Sequence, residues 1–308
     1  MEGVRPLPPA LAKAAQEELQ ESPERLEADL QHLKDWLAKQ PHLRARTDDQ
    51  FLVAFLRGSK FSLERAKEKL DAYYTLRSAL PEFFANRDPA DPAIQHIMKL
   101  GLFLPLGEDR EGRRVILIRG GGYSPAGIKA SDLFKANMMV LETMLLEDDA
   151  LMVRGQATVL DLAGMTVAHV AHFPPALVRR AMVAYQDGYP LRPKAFHYLH
   201  LSSLFETLFG IFKSFMKEKL RKRIATHPDR ESLYRAVPQE ILPEEYGGQA
   251  GPVQEIADRW AEKLVSWRQH FVEDEQRFGV DESLRPGRPK THQDLFGMEG
   301  SFRQLNFD

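Results

Sequence analysis

Lys217, Lys219, Arg221, Lys222 and Arg223 put five cations into seven residues. They follow Leu201, Leu204, Phe205, Leu208, Phe212 and Phe215, whose spacing sets large apolar groups on one face of a helix. Cations at this density suit a phosphate-rich headgroup, or form the solvated end of a helix. The aromatic face before them suits three settings: the cover of a greasy cavity, a membrane interface, or an ordinary core. The residues alone leave these readings open.

Other chemistry has weak support. Arg119-Gly120-Gly121-Gly122 follows an apolar run as a phosphate loop would, but Tyr123-Ser124-Pro125 comes next and no Gly-Lys-Ser/Thr occurs. There is no Gly-x-Ser-x-Gly elbow. His169 and His172, like His197 and His200, sit three apart without a third-ligand pattern, so no metal is expected. His227-Pro228-Asp229 lacks the flanking helices of a co-chaperone loop. Glu142 and Glu147 read as salt-bridging residues. The expectation is a chain that is not an enzyme and has no cofactor.

Composition sets further bounds. The chain has 308 residues, 43% hydrophobic and 28% charged, which is globular and sufficient for one large or two smaller domains. A net charge of -2 gives no global pull toward nucleic acid, so any basic patch is local. The absence of cysteine excludes a disulfide framework and fits a reducing cytosol. The start, Met1-Glu2-Gly3-Val4-Arg5-Pro6, lacks the apolar run of a signal peptide, and no run of about 18 apolar residues spans a bilayer. A cytoplasmic monomer that meets membranes transiently from the water side is expected.

The elements that must position these residues follow from periodicity. Residues 10–40 read as helical, with Ser22-Pro23-Glu24 as a cap within them. Thr47-Asp48-Asp49-Gln50 reads as a capping box opening a second helix, and Ser62 as the cap of a third. Beyond Pro89 and Pro92 the grammar changes. Strands are predicted over 102–106 and 115–118 with a turn at 107–113, then a helix over 131–149 and a strand over 158–162. A helix opening at Pro174-Pro175 and a strand over 195–200 follow. The alternation predicts a mostly parallel α/β sheet. A last helix is predicted over 252–278, with the tail from Arg285 extended or pinned on the surface.

Five ordered pieces carry a resemblance. They are Asp48-Asp49-x-Phe51-Leu52 with Phe55-Leu56-Arg57 and Lys60-Phe61, Gly112-Arg113-Arg114-Val115, Asp161-Leu162-x-Gly164, Asp187-x-Tyr189-Pro190 with His197, and Leu242-Pro243-x-Glu245-Tyr246-Gly247-Gly248. Together, over residues 45–275, they resemble the CRAL-TRIO lipid-transfer family, in its tocopherol- and retinaldehyde-binding branch, with an invertebrate-like tail. The resemblance implies a small all-helical N-terminal module over 1–90, a CRAL-TRIO lipid-binding domain over 91–280 with a mobile lid helix, and a C-terminal extension over 281–308.

It also implies site roles. Cavity residues are expected at Phe134, Asn137, Met138, Leu141, Val159, Leu162, Ala181, Tyr185, Leu191 and Phe196, and lid residues at Leu204, Phe205, Leu208, Phe209 and Phe212. Asn137 and Leu141 stand where the tocopherol-binding branch has two ligand-holding serines. A phosphoinositide-binding patch is expected from Arg57, Lys60, Arg192, Lys194, Lys217, Lys219, Arg221 and Arg223, with Ser59 in place of a further basic residue of that cleft. The implied function is carriage of a hydrophobic small molecule between membranes: a tocopherol, retinoid, carotenoid or similar isoprenoid, mostly apolar with one hydroxyl or carbonyl. Transfer of phosphatidylinositol or another phospholipid, and a non-transferring trafficking or signalling module, are the alternatives.

Overall fold

The computed structural model describes residues 3–297, apart from the side chains of Ser203, Leu204 and Thr207. Leu204, expected on the lid, and the tail beyond residue 297 therefore lie outside the described residues. Five strands form the main sheet: β1 (Phe103–Glu108), β2 (Arg114–Arg119), β3 (Gln156–Asp161), β4 (Pro193–Leu199) and β5 (Ile224–His227). Their spatial order is the order of the chain. β1 and β2 are antiparallel, and every later pair is parallel. The hairpin turn is held by Asp109, whose carboxylate accepts from the backbone N–H of Glu111 and Arg113 and from Arg113 Nε at 2.6 Å.

Side chains alternate across the strands, so each strand serves two surfaces. Val115, Leu117, Ala157, Val159, Ala195 and Leu199 pack on one face under the helices Arg230–Tyr234 and Val253–Ser266. Ile116, Ile118, Thr158, Leu160, Phe196 and Tyr198 point to the opposite face. There the helices Ala130–Glu147, Pro175–Val183 and Ser203–Phe215 surround an open space.

The structure departs from the periodicity in several places. β5 was not expected, because its four residues follow directly on the basic cluster and show little apolar content. The predicted helix over 131–149 ends at Glu147, where Asp148 turns extended and its side chain caps a separate helix, Asp149–Arg154. The predicted helix over 252–278 breaks at Trp267. Residues 10–40 form Pro9–Ala14, a π turn, and Pro23–Leu37, interrupted where Gln20 is left-handed at φ 65°. The helix Asp49–Gly58 is capped by Asp48 rather than by a Thr47 box, with the Phe51 N–H donating to Asp48 Oδ1 at 3.0 Å.

The helical N-terminal region is joined to the sheet region by close approach and by buried charge. Gly58 packs on Pro190, and a Cβ there would lie 2.0 Å from the Pro190 carbonyl oxygen, which is the physical reason for glycine. Beneath it, Arg77 of the helix Leu63–Ala79 and Arg87 both donate to Glu142 Oε2 at 2.6 Å. Arg87 and Arg77 also donate to Asp274 Oδ2, at 2.7 and 3.1 Å. Glu142, Arg87, Asp274 and Arg77 are all buried. Arg46 donates to His270 Nδ1 at 2.7 Å, so the neutral imidazole carries its proton on Nε2 and donates to Glu142 Oε1 at 2.9 Å. The trio Glu142, His270 and Asp274 has the spacing of a metal site, but two guanidinium groups already occupy its centre.

The tail is pinned as far as it is described. Arg285 donates to Asp71 at 2.7 Å and to Thr75 at 2.8 Å, Lys290 also pairs with Asp71, and Phe296 is buried.

Burial alone would raise the Glu142 pKa, but the adjacent Arg77 and Arg87 outweigh it and hold the carboxyl well below the usual range. A depressed folded pKa stabilises the fold above the unfolded carboxylate pKa and loses that stability as pH falls. Stability is therefore expected to drop below about pH 4.5 as the unfolded-state carboxyl of Glu142 takes up its proton. Glu142→Gln leaves two buried guanidinium groups short of charge, and urea melts are expected to show a loss of about 3–5 kcal/mol at pH 7. A loss under about 1 kcal/mol would mean that the cluster relaxes without cost.

Candidate functional site

The open space beside the sheet is an apolar cavity of about 210 Å³. Its floor is the second sheet face and its back wall is the helix Ala130–Glu147, which contributes Leu133, Phe134, Asn137, Met138 and Leu141. Ala181, Met182 and Tyr185 close one side, and Tyr123, Met165 and Phe173 close another. Eight of the expected cavity residues are in the wall: Phe134, Asn137, Met138, Leu141, Leu162, Ala181, Tyr185 and Phe196. Val159 is not. It is fully buried on the other sheet face, because Thr158 and Leu160 on either side of it face the cavity. Leu191 is not either, and lines a separate polar groove.

The roof is the helix Ser203–Phe215, with Phe205, Leu208, Phe209 and Phe212 turned inward. Phe209 meets Tyr198 edge-on with ring centres 4.5 Å apart, and Phe212 meets Phe173 at 6.2 Å. Glu206, Lys213 and Ser214 face water. The helix ends where Met216 turns extended. Gln186 holds both sides of that break: its Nε2 donates to the Phe215 carbonyl at 2.9 Å, and its Oε1 accepts from the Lys217 N–H at 2.8 Å. The sequence reading did not single out Gln186, since one glutamine in a π turn carries no pattern.

Beside this break lies a groove of about 680 Å³. Lys60, Arg192, Lys194, Lys217, Lys219 and Arg223 line it, joined by Arg65 and Lys69. Arg65 and Lys69 are four apart on the helix Leu63–Ala79, and that spacing was the available signal for both. The acids among the lining residues are Glu68 and Asp187. Glu18 reaches Arg192 at 3.4 Å and Lys194 at 3.8 Å, and Lys217 pairs with Asp187. Lys60 and Lys219 make no ion pair among the described residues. Burial and the nearby Lys217 bring the Lys69 pKa down to about 8 against the pull of Asp187, and its Nζ donates to the Gln186 carbonyl at 2.9 Å.

Two expected groove residues lie elsewhere. Arg57 is fully buried, donating to Glu21 at 2.9 Å through two nitrogens and to Asp149 at 2.9 Å, so it joins the N-terminal helices rather than facing a ligand. Arg221 is exposed and outside the groove. The cations are not the end of one continuous helix with the apolar residues before them. The break at Met216 leaves a one-turn helix, Glu218–Arg221, which directs Lys219 inward and Arg221 away.

The histidine pairs have local partners. His169 Nε2 bonds the Tyr123 carbonyl at 2.9 Å, and His172 Nε2 bonds that of Ile128 at 2.7 Å, which fixes the glycine-rich connection beside the cavity. His197 Nδ1 meets His227 Nε2 at 3.0 Å on the sheet face away from the cavity. His200 meets Asp161 at 2.8 Å, and the Tyr246 hydroxyl donates to the same carboxylate at 2.6 Å.

Comparison with known proteins identifies the family. Residues 98–248 match the family described as CRAL/TRIO domain, and residues 22–94 match that described as Pinta-like, UBA domain. The chain is 34% identical over 267 residues to the alpha-tocopherol transfer protein-like protein of Mus musculus, covering 86% of this chain and 76% of that one. It is 30% identical over 283 residues to clavesin-2 of Homo sapiens, covering 91% and 85%. The crystal structure of Sfh5 shares the fold at a TM-score of 0.50 with 14% identity, covering 85% of this chain and 99% of that one. With an apolar cavity and relatives of this similarity over most of its length, the chain belongs to the CRAL-TRIO family of lipid-binding and lipid-transfer proteins.

Proposed function

We propose that this protein carries a hydrophobic small molecule of the tocopherol, retinoid, carotenoid or similar isoprenoid type and passes it between membranes. In this reading the groove docks on anionic membrane, with phosphoinositide headgroups as its partner. The observation that carries the reading is the roof helix: Phe205, Leu208, Phe209 and Phe212 lie between the cavity and water. Each large side chain gains about 1.5–3 kcal/mol from leaving water, whether into the closed cavity or a membrane interface. The closed and open states are therefore close enough in energy for a membrane to shift one to the other. Among the described residues no helix is long and apolar enough to cross a membrane.

Phe209→Asp with Phe212→Asp is expected to slow ligand transfer to acceptor liposomes by about tenfold or more, since one lost interfacial aromatic already costs about that factor. Melting temperature is expected to change much less. Transfer at the parent rate would make the helix ordinary core and remove the basis of the reading.

The groove is tested at Lys60 and Lys219, which are exposed and outside any ion pair among the described residues. Each cation near an anionic leaflet is worth about 1 kcal/mol. Lys60→Glu with Lys219→Glu is expected to weaken sedimentation with phosphoinositide liposomes by at least about tenfold. The parent's binding is expected to weaken with added salt. Equal binding by parent and variant would separate the groove from the membrane.

Lys69 adds a pH signature. At a pKa of about 8 it is partly neutral in mildly alkaline solution, and a bound phosphate would favour its protonated form. Titration with a soluble inositol phosphate near pH 8 is expected to take up protons, seen as a binding heat that varies with buffer ionisation enthalpy. Lys69→Met is expected to remove that dependence. Buffer-independent heats in the parent would show that Lys69 does not meet the anion.

A further inference from the structure

The apolar cavity contains one polar island. Gln156 opens β3 and Thr158 follows two residues later, so both face the cavity. Gln156 Nε2 donates to Thr158 Oγ1 at 2.8 Å, and the Tyr185 hydroxyl donates to Gln156 Oε1 at 3.4 Å. Gln156 is 3% exposed and Thr158 7% exposed. With these bonds made, the Thr158 hydroxyl proton and the second Gln156 amide hydrogen find no acceptor among the described residues. Buried donors left in this way are costly, and an apolar cavity offers them nothing unless its occupant does.

The three side chains of the island are themselves neutral. Burial pushes the Tyr185 phenol well above its ordinary range, so it remains a hydroxyl. Arg119, the charged side chain in the cavity wall, is paired in register with Asp161 at the far end of β3. Five residues of strand separate that end from Gln156, about 16 Å. Tyr185 lines both the cavity and the cationic groove, and the Gln156 N–H bonds the Arg192 carbonyl at 3.1 Å. The polar end of the cavity therefore backs onto the groove, and its apolar length runs toward Leu162 and Met165.

We propose that Gln156, Thr158 and Tyr185 form the head site of the ligand, selecting a neutral oxygen such as an alcohol, carbonyl or quinone and orienting it toward the wall shared with the groove. The site rests on the carrier reading above. It disfavours a carboxylate or phosphate, because a buried charge requires a partner and none of these three side chains carries a charge.

The test uses three C20 isoprenoid probes of closely matched skeleton: phytol, phytane and phytanic acid. Binding to the full chain is measured by competition at pH 8, together with a thermal melt of every variant. The parent is expected to prefer phytol over both others by about tenfold, the scale of one buried hydrogen bond. Gln156→Leu with Thr158→Val is expected to bring the phytol-to-phytane ratio close to one. Tyr185→Phe, which removes a single oxygen and keeps the ring packing, is expected to lower the ratio by a smaller factor. A ratio unchanged in both variants, equal binding of all three probes by the parent, or a preference for phytanic acid would overturn the head site while leaving the carrier reading intact. Binding of none of them would overturn both.

Discussion

Glu142 is a charge held out of water by two arginines, and the positions of the other parts follow from it. It lies on the helix Ala130–Glu147, which also forms the back wall of the cavity through Asn137, Met138 and Leu141. Arg77 arrives from the N-terminal helices, and Asp274 and His270 from the last helix of the chain's core. A buried pair of this kind need not be more stable than a hydrophobic contact, but it accepts only one arrangement. A small shift of the cavity's back wall would strand a guanidinium. The cluster thus converts the docking of separate helical regions into a fixed cavity shape.

The two sites on this frame are physically opposite yet adjacent. The cavity gains from excluding water, whereas the groove retains an excess of cations that water and anions must screen. They meet at the segment 185–187. Tyr185 serves both walls, Gln186 holds the break after the roof helix, and Asp187 pairs with Lys217 just beyond that break. Under the proposed function, an anion drawn to Lys217 would compete with Asp187 for the same ammonium. That contact lies one residue from the break at Met216.

Much of this was legible in the sequence. The apolar rows over 201–215 and 131–149, the alternation in the strands and the five ordered motifs specified an α/β sheet region with a helical module before it, and identified the family to which the chain belongs. Eight cavity positions and the inward aromatics of the roof followed, because large apolar side chains at fixed spacing have few places to go. Val159 was misplaced, since strand periodicity defines two faces without saying which one meets the cavity. Arg57 was misplaced for a related reason: a cation next to Lys60 in sequence points into the protein when Glu21 and Asp149 wait there.

Local physics is therefore what the sequence by itself determined: which segments are helix or strand, which residues must leave water, and where cations concentrate. These depend on neighbours within a turn or two. Only the tertiary structure decided which cations face a common groove, that Lys69 and Arg65 belong with Lys219 and Arg223, and that Gln156, Thr158 and Tyr185 form one neutral island. Those groupings join residues far apart in the chain, and their burial and electrostatics come from packing that no short window of sequence contains.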